Sequence, residues 1–234
     1  MARKTKSVEP RSSLKLWGAI RVWAWMFILS ALALAGVSVW RATGLFELGD
    51  VYMTENDIFG HAPLQDLAYL GVIALFVLAY VVCVILVLKW YLRSVRNGQV
   101  LTRGMETRPR WAVWYFIIPI LSLFRPYSMT SELWRSSLKP EGWKALPDPA
   151  MLRWWWGLVL VGGIISNIAN VFSRNAMSAE LLAQVDVAMA VSLLLQVAAG
   201  LLFLKIGGPV SRRQSALIED GYRPPAPTIP AWSA

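Results

Sequence analysis

The side chains best equipped for chemistry in this sequence are guanidinium and amide groups rather than nucleophiles. Arg93, Arg96 and Asn97 lie in Lys89–Gly98, and Arg125, Pro126 and Tyr127 follow an apolar run that contains Pro119. A guanidinium presents a planar fork of donors that fits phosphate or carbonyl oxygens. Arg96 and Arg125 are therefore read as grips on lipid phosphate or backbone carbonyls at a membrane headgroup level. Arg93, Asn97, Pro119, Pro126, Tyr127 and Trp134 complete the surrounding structural motif. The competing reading is that these arginines only set membrane topology. A second group is uncharged: Asn167 and Asn170 are three apart, and Ser192 and Gln196 are four apart. On a helix each pair shares one face. Amide and hydroxyl groups at that spacing are expected to glue apolar helices together, with a path for a polar solute as the alternative.

Covalent chemistry has little to work with. Cys83 and His61 are single residues of their kinds. They exclude an internal disulfide and a Cys/His metal site. No H-E-x-x-H, G-x-S-x-G or glycine-rich phosphate loop is present in the sequence. No catalytic residue, metal or cofactor is expected, and the protein is expected not to be an enzyme. Cys83 is read as a small buried apolar residue and His61 as a solvated loop residue.

Positioning such groups falls to apolar helices. Hydrophobic residues make up 56% of the 234 residues and charged residues 16%, with a mean hydropathy of +0.49. A soluble domain runs nearer 45–50% and about 25%. A spanning helix needs about 20 mostly apolar residues. Val22–Trp40, Leu67–Leu88, Trp154–Phe172 and Val187–Leu204 meet that need without one Asp, Glu, Lys, Arg or His. The first is expected to be a retained anchor rather than a cleaved signal peptide. Trp111–Phe124 is shorter, holds Pro119 and has arginines at both ends. It is expected to be re-entrant or in-plane. The fold class is thus an all-α integral membrane protein, with four transmembrane helices and one short re-entrant or interfacial segment.

Charge orients the spans. Of 23 Lys and Arg residues, all but Arg41 and Arg174 fall in the arm before span one, the 89–153 loop or the segment after span four. Basic segments stay cytoplasmic. Both termini and that loop are therefore expected to face the cytoplasm of a bacterial cell, with the spans in its inner membrane. The net charge of +9 then reports topology and attraction to anionic headgroups, not nucleic acid. Three regions follow: a basic arm over 1–21, a membrane domain over 22–206, and a Pro-rich tail over 207–234. Trp17, Trp23, Trp25, Trp40, Trp90 and Trp154–Trp156 fit an aromatic belt at the two interfaces. Arg174 and Asp186 are placed to pair across the outer hairpin.

The 89–153 loop has its own punctuation. Asn97-Gly98 reads as a helix stop, and Arg125-Pro126-Tyr127 as a second break. A further helix, capped by Ser128 or Thr130 and carrying Glu132 in its first turn, is expected through about Leu138. Here the sequence resembles a bacterial family, domain of unknown function 4328. The likeness rests on WYLRSVRNGQVL (Trp90–Leu101) and RWAVWYFIIPILSLFRPYSMTSELWRSS (Arg110–Ser137). Its marks are Arg96-Asn97, Phe116 to Pro119, Arg125-Pro126-Tyr127 and Glu132-Leu133-Trp134. Members often carry Asn where this chain has Ser122. The resemblance implies a multi-pass membrane protein and assigns no activity. The expected role is a non-enzymatic scaffold, accessory subunit or sensor that meets anionic lipid, a membrane-protein partner or its own copies. A small-solute channel or transporter is the alternative.

Overall fold

A computed structural model describes residues 9–49, 63–174 and 178–225, with only the backbone of 63–69. The described residues form helices α1 (Leu14–Leu48), α2 (Pro63–Leu101), α3 (Trp111–Ile117), α4 (Pro119–Leu138), α5 (Ala150–Ser173) and α6 (Ala179–Glu219), with a 3₁₀ turn at Trp143–Ala145. Four of them, α1, α2, α5 and α6, are long and apolar enough to cross a membrane. The protein is an all-α membrane protein.

The chain divides into two compact units. One takes Ala19–Leu86 and Ala150–Lys205. Its core joins Ile28, Ala31, Leu34 and Ala35 of α1 to Ala190, Leu193 and Val197 of α6. Alanines at that contact let the two backbones approach, the usual basis of packing between apolar helices in lipid. Phe27, Phe76 and Tyr80 stack along its side, with ring centroids 5.6–6.3 Å apart. The outward surface of α2 is almost wholly apolar, including Leu70, Val77, Leu78 and Ile85. In water that surface would be costly; against acyl chains it needs no cover.

Asp186 pairs with Arg41 at 3.5 Å, not with the expected Arg174. The reason is the length of α1. It continues to Leu48 and carries Arg41 on a rigid helix instead of in a loop.

The other unit takes the described parts of Met1–Gly18, Val87–Pro149 and Ile206–Ala234. Several local signals give way there. Helix α2 passes through Asn97-Gly98 to Leu101. Helix α6 passes through Gly207-Gly208-Pro209 and ends at Glu219. Pro209 cannot donate to the carbonyl of Lys205. Ile206 and Val210, almost fully buried on either side of it, offset that loss. Pro126 likewise lies inside α4, which begins at Pro119. The break expected at Arg125-Pro126-Tyr127 is therefore absent. The real one is at Ile118, whose extended backbone (φ −77°, ψ 117°) ends α3 and precedes Pro119 at the first position of α4. A residue before proline is pushed out of the helical region, and Pro is favoured as a first helical residue.

Ser128 and Thr130 are consequently not caps. Their hydroxyls donate back to the carbonyls of Arg125 (3.1 Å) and Pro126 (2.6 Å) within the helix. This back-bonding is the common fate of hydroxyls inside helices.

Candidate functional site

The residues singled out around the 89–153 segment meet in the second of these units, which has a polar interior. One face of α2 carries Trp90, Ser94 and Asn97 at steps of four and three. One face of α6 carries Gly207, Ser211 and Gln214 at the same steps. The Trp90 indole donates to Ser211 Oγ at 2.8 Å, fully buried. Gln214 Nε2 donates to the Ser94 carbonyl at 3.2 Å. Ser12 and Ser215 hydroxyls meet at 2.9 Å.

Asn97 ties down residues 11–12. Its Oδ1 accepts the Arg11 N–H at 3.0 Å and its Nδ2 donates to the Arg11 carbonyl at 2.8 Å, as a paired strand would. Arg93 adds a bond from Nη1 to the Ser12 carbonyl at 3.3 Å. Replacing Asn97 by Ala removes two bonds from a buried position, worth about 1–2 kcal/mol. Cleavage by trypsin after Arg11 tracks opening of this segment. The Asn97→Ala protein is expected to be cut there about tenfold faster, 1.4 kcal/mol being tenfold; an unchanged rate would refute the tether.

Tryptophan behaves differently from the expected belt. Trp17 and Trp90 are buried against each other, with centroids 5.6 Å apart. Trp155 is buried against Phe203 at 5.9 Å. Trp25, Trp40 and Trp154 are exposed, as a belt requires. Spacing from a span end sets a tryptophan's depth. It does not say which side of the helix the ring leaves from, and that side decides between lipid and core.

The α4 face holds a second network. Tyr91 donates to Thr130 Oγ1 at 2.8 Å, since the Thr130 hydroxyl is itself spent on the Pro126 carbonyl. Asp148 accepts from Tyr127 at 3.0 Å and from Ser131 at 2.6 Å, and pairs with Arg135 at 3.3 Å. The Arg135 guanidinium lies 5.4 Å from the centre of the Trp143 ring, whose N–H donates to the Arg103 carbonyl at 2.9 Å.

Glu132 is not in a first turn, because α4 starts at Pro119. Its buried carboxylate accepts the N–H groups of Glu106 (3.0 Å) and Thr107 (3.1 Å). Ser122 Oγ donates to the Pro119 carbonyl at 2.7 Å.

Of the predicted site residues, Asn97 and Pro126 are buried, and Arg93, Tyr127 and Trp134 are half-buried. Arg96, Pro119 and Arg125 are exposed. Arg93 and Asn97 converge on residues 11–12. Arg125 stands over the Tyr115 ring at 5.5 Å, and no hydrogen bond or ion pair joins it to Arg96 among the described residues. Sequence reasoning missed Glu132 as a loop anchor and Ser211 with Gln214 as core. The repeat of Gly207, Ser211 and Gln214 on one helical face was the available signal, hidden within a segment read as tail.

The four intramembrane polar residues divide in two. Ser192 Oγ donates across to the Gly162 carbonyl at 2.8 Å, buried, and Gln196 donates to Ser192 at 3.2 Å. Asn167 and Asn170 bond the carbonyls of Gly163 and Ser166 on their own helix, both at 2.8 Å, and are exposed. They do not face the Ser192–Gln196 pair.

Four helices long and apolar enough to span a bilayer define a multi-pass membrane protein. Residues 57–206 match the family described as Domain of unknown function (DUF4328), and the chain belongs to that family. No curated protein and no solved structure matches it.

Proposed function

We propose that the protein is a non-enzymatic scaffold, accessory subunit or sensor of the bacterial cytoplasmic membrane. Both termini and the 89–153 segment face the cytoplasm in this reading. The observation that carries it is a division of labour within one unit. Much of its polar interior is tied up in internal bonds, among them Trp90 to Ser211, Asn97 to Arg11, and Glu132 to residues 106 and 107. Arg93 and Arg135 bond inward, while Arg96, Arg103, Arg108, Arg110 and Arg125 remain at the surface. A surface of that kind acts by contact. Each such cation near an anionic leaflet contributes about 1 kcal/mol.

Extraction from native membranes with a lipid-retaining polymer, followed by mass spectrometry, tests the role. Enrichment of anionic lipid or of a stoichiometric membrane-protein partner is expected. Recovery alone, with bulk lipid composition, would overturn it. Orientation has its own test: a Lys139→Cys protein, with Cys83 replaced by Ser, is expected to resist a membrane-impermeant thiol reagent outside intact cells.

A second reading, a small-solute channel or transporter, draws on the exposed amides of Asn167 and Asn170. A polar path through them requires another copy beside α5. It predicts a homo-oligomer in the same extract.

A further inference from the structure

The break at Ile118 leaves an apolar ridge on one side of α3 and α4. Trp111, Trp114 and Ile117 follow each other at steps of three on α3; Ile120, Leu123 and Phe124 continue the ridge on α4. All six are exposed, up to 74% at Ile120 and 67% at Phe124. The opposite side is committed to the interior of the same unit: Ala112, Tyr115, Met129 and Leu133 are buried, and Phe116 packs on Tyr91 at 5.2 Å. The direction of the ridge is therefore fixed by packing. Arginines bracket it, with Arg108 and Arg110 before and Arg125 after, and all three are exposed.

We infer that this ridge lies in the plane of the membrane interface, its apolar side chains among the upper acyl chains and Arg108, Arg110 and Arg125 on anionic phospholipid headgroups. The inference deepens the proposed role by naming the ligand of that surface, and it rests on that reading. Two observations select the bilayer as occupant. The same chain carries four helices able to span one. Apolar residues with cations at both edges are the pattern of a helix lying in an interface. A further observation separates in-plane from re-entrant. Arg125 directly follows Phe124 and is held over the Tyr115 ring at 5.5 Å. Deep insertion of Phe124 would carry that cation into hydrocarbon, where charge is costly. Length agrees: the fourteen residues Trp111–Phe124 reach about 21 Å even as one helix, against a core of about 30 Å. Trp111, stacked on Tyr115 at 6.1 Å, stands at the Arg110 edge, where an indole N–H finds headgroup partners.

Spin labelling of the full chain tests this. The labels are Ile120→Cys and, as an aqueous control, Lys139→Cys, each with Cys83→Ser. The protein is reconstituted in phosphatidylcholine vesicles containing phosphatidylglycerol. The label at 120 is expected about 5–10 Å below the phosphates, reached by oxygen more than by a water-soluble nickel chelate. The label at 139 is expected in water. A 120 label in water, at the bilayer midplane, or dipolar-broadened by a second copy would overturn the in-plane placement. The headgroup contact is read separately, by native mass spectrometry of retained phosphatidylglycerol. Arg125→Gln is expected to reduce retention about fivefold, the equivalent of about 1 kcal/mol. Unchanged retention would overturn that contact. Label depth does not depend on which partner is captured from native membranes, so failure here and failure of the proposed role are distinguishable.

Discussion

Replacing Glu132 by Ala is expected to cost about 3 kcal/mol and to release the chain at residues 106–107. The carboxylate accepts two backbone N–H groups, at 3.0 and 3.1 Å, from a position only 7% exposed. Hydrogen bonds to charged groups contribute about 1.5–3 kcal/mol each, and a donor left buried without a partner adds its own desolvation penalty. Thr107 is itself buried, so water cannot readily replace the lost acceptor. Glu132→Gln keeps one acceptor oxygen and turns the other into a donor facing an N–H. It is expected to fall between wild type and Ala. Two measurements check this in the detergent-solubilised protein. The unfolding midpoint should drop in the order wild type, Gln, Ala. Amide exchange at Glu106 and Thr107 should speed up well before exchange in α5, which these bonds do not touch. Equal exchange rates in wild type and Glu132→Ala would refute the anchor.

Gly207→Ala should destabilise a helix, contrary to the ordinary sign of that change. In a helix interior Ala is favoured over Gly by about 1 kcal/mol. At position 207 the added Cβ would overlap the Cζ3 and Cη2 atoms of Trp17. The ring has no room to retreat. Trp17 is 5% exposed and packs on Trp90, itself fully buried and tied to Ser211. Overpacking of this kind costs about 1–3 kcal/mol, occasionally more. The upper end applies because the obstacle is a rigid aromatic ring. A net loss of about 2 kcal/mol is expected once the propensity gain is subtracted. Trp17→Phe removes the overlapping part of the indole. In a double-mutant cycle the pair should recover at least 1 kcal/mol relative to additivity. Gly207→Ala at or above wild-type stability would contradict the close approach.

How far the site was legible depends on the distance over which its residues interact. Asn97 was visible as a marked position, but its partner is a backbone unit 86 positions away. The bond from Trp90 to Ser211 crosses 121 positions. Neither residue type nor spacing encodes such a pairing. The short punctuation signals misled for a related reason. Asn97-Gly98, Pro126 and Pro209 all sit inside helices, because burial of neighbouring side chains outweighs one missing hydrogen bond or one glycine. Pro119, by contrast, does mark a helix end. There the preceding residue is already extended, and the ridge beyond it leaves the buried face.

The sequence alone determined the membrane class, the presence of four helices long and apolar enough to span a bilayer and the lopsided distribution of arginine. These are local properties: about 20 uncharged apolar residues satisfy both the bilayer and their own backbone without reference to the rest of the chain. Tertiary structure decided which tryptophans are core, that Asp186 answers to Arg41, that Glu132 holds a loop, and that the 111–124 ridge faces outward. Each of these depends on which side of a helix meets which neighbour. That direction is set by packing among segments distant in sequence, and a linear pattern does not carry it.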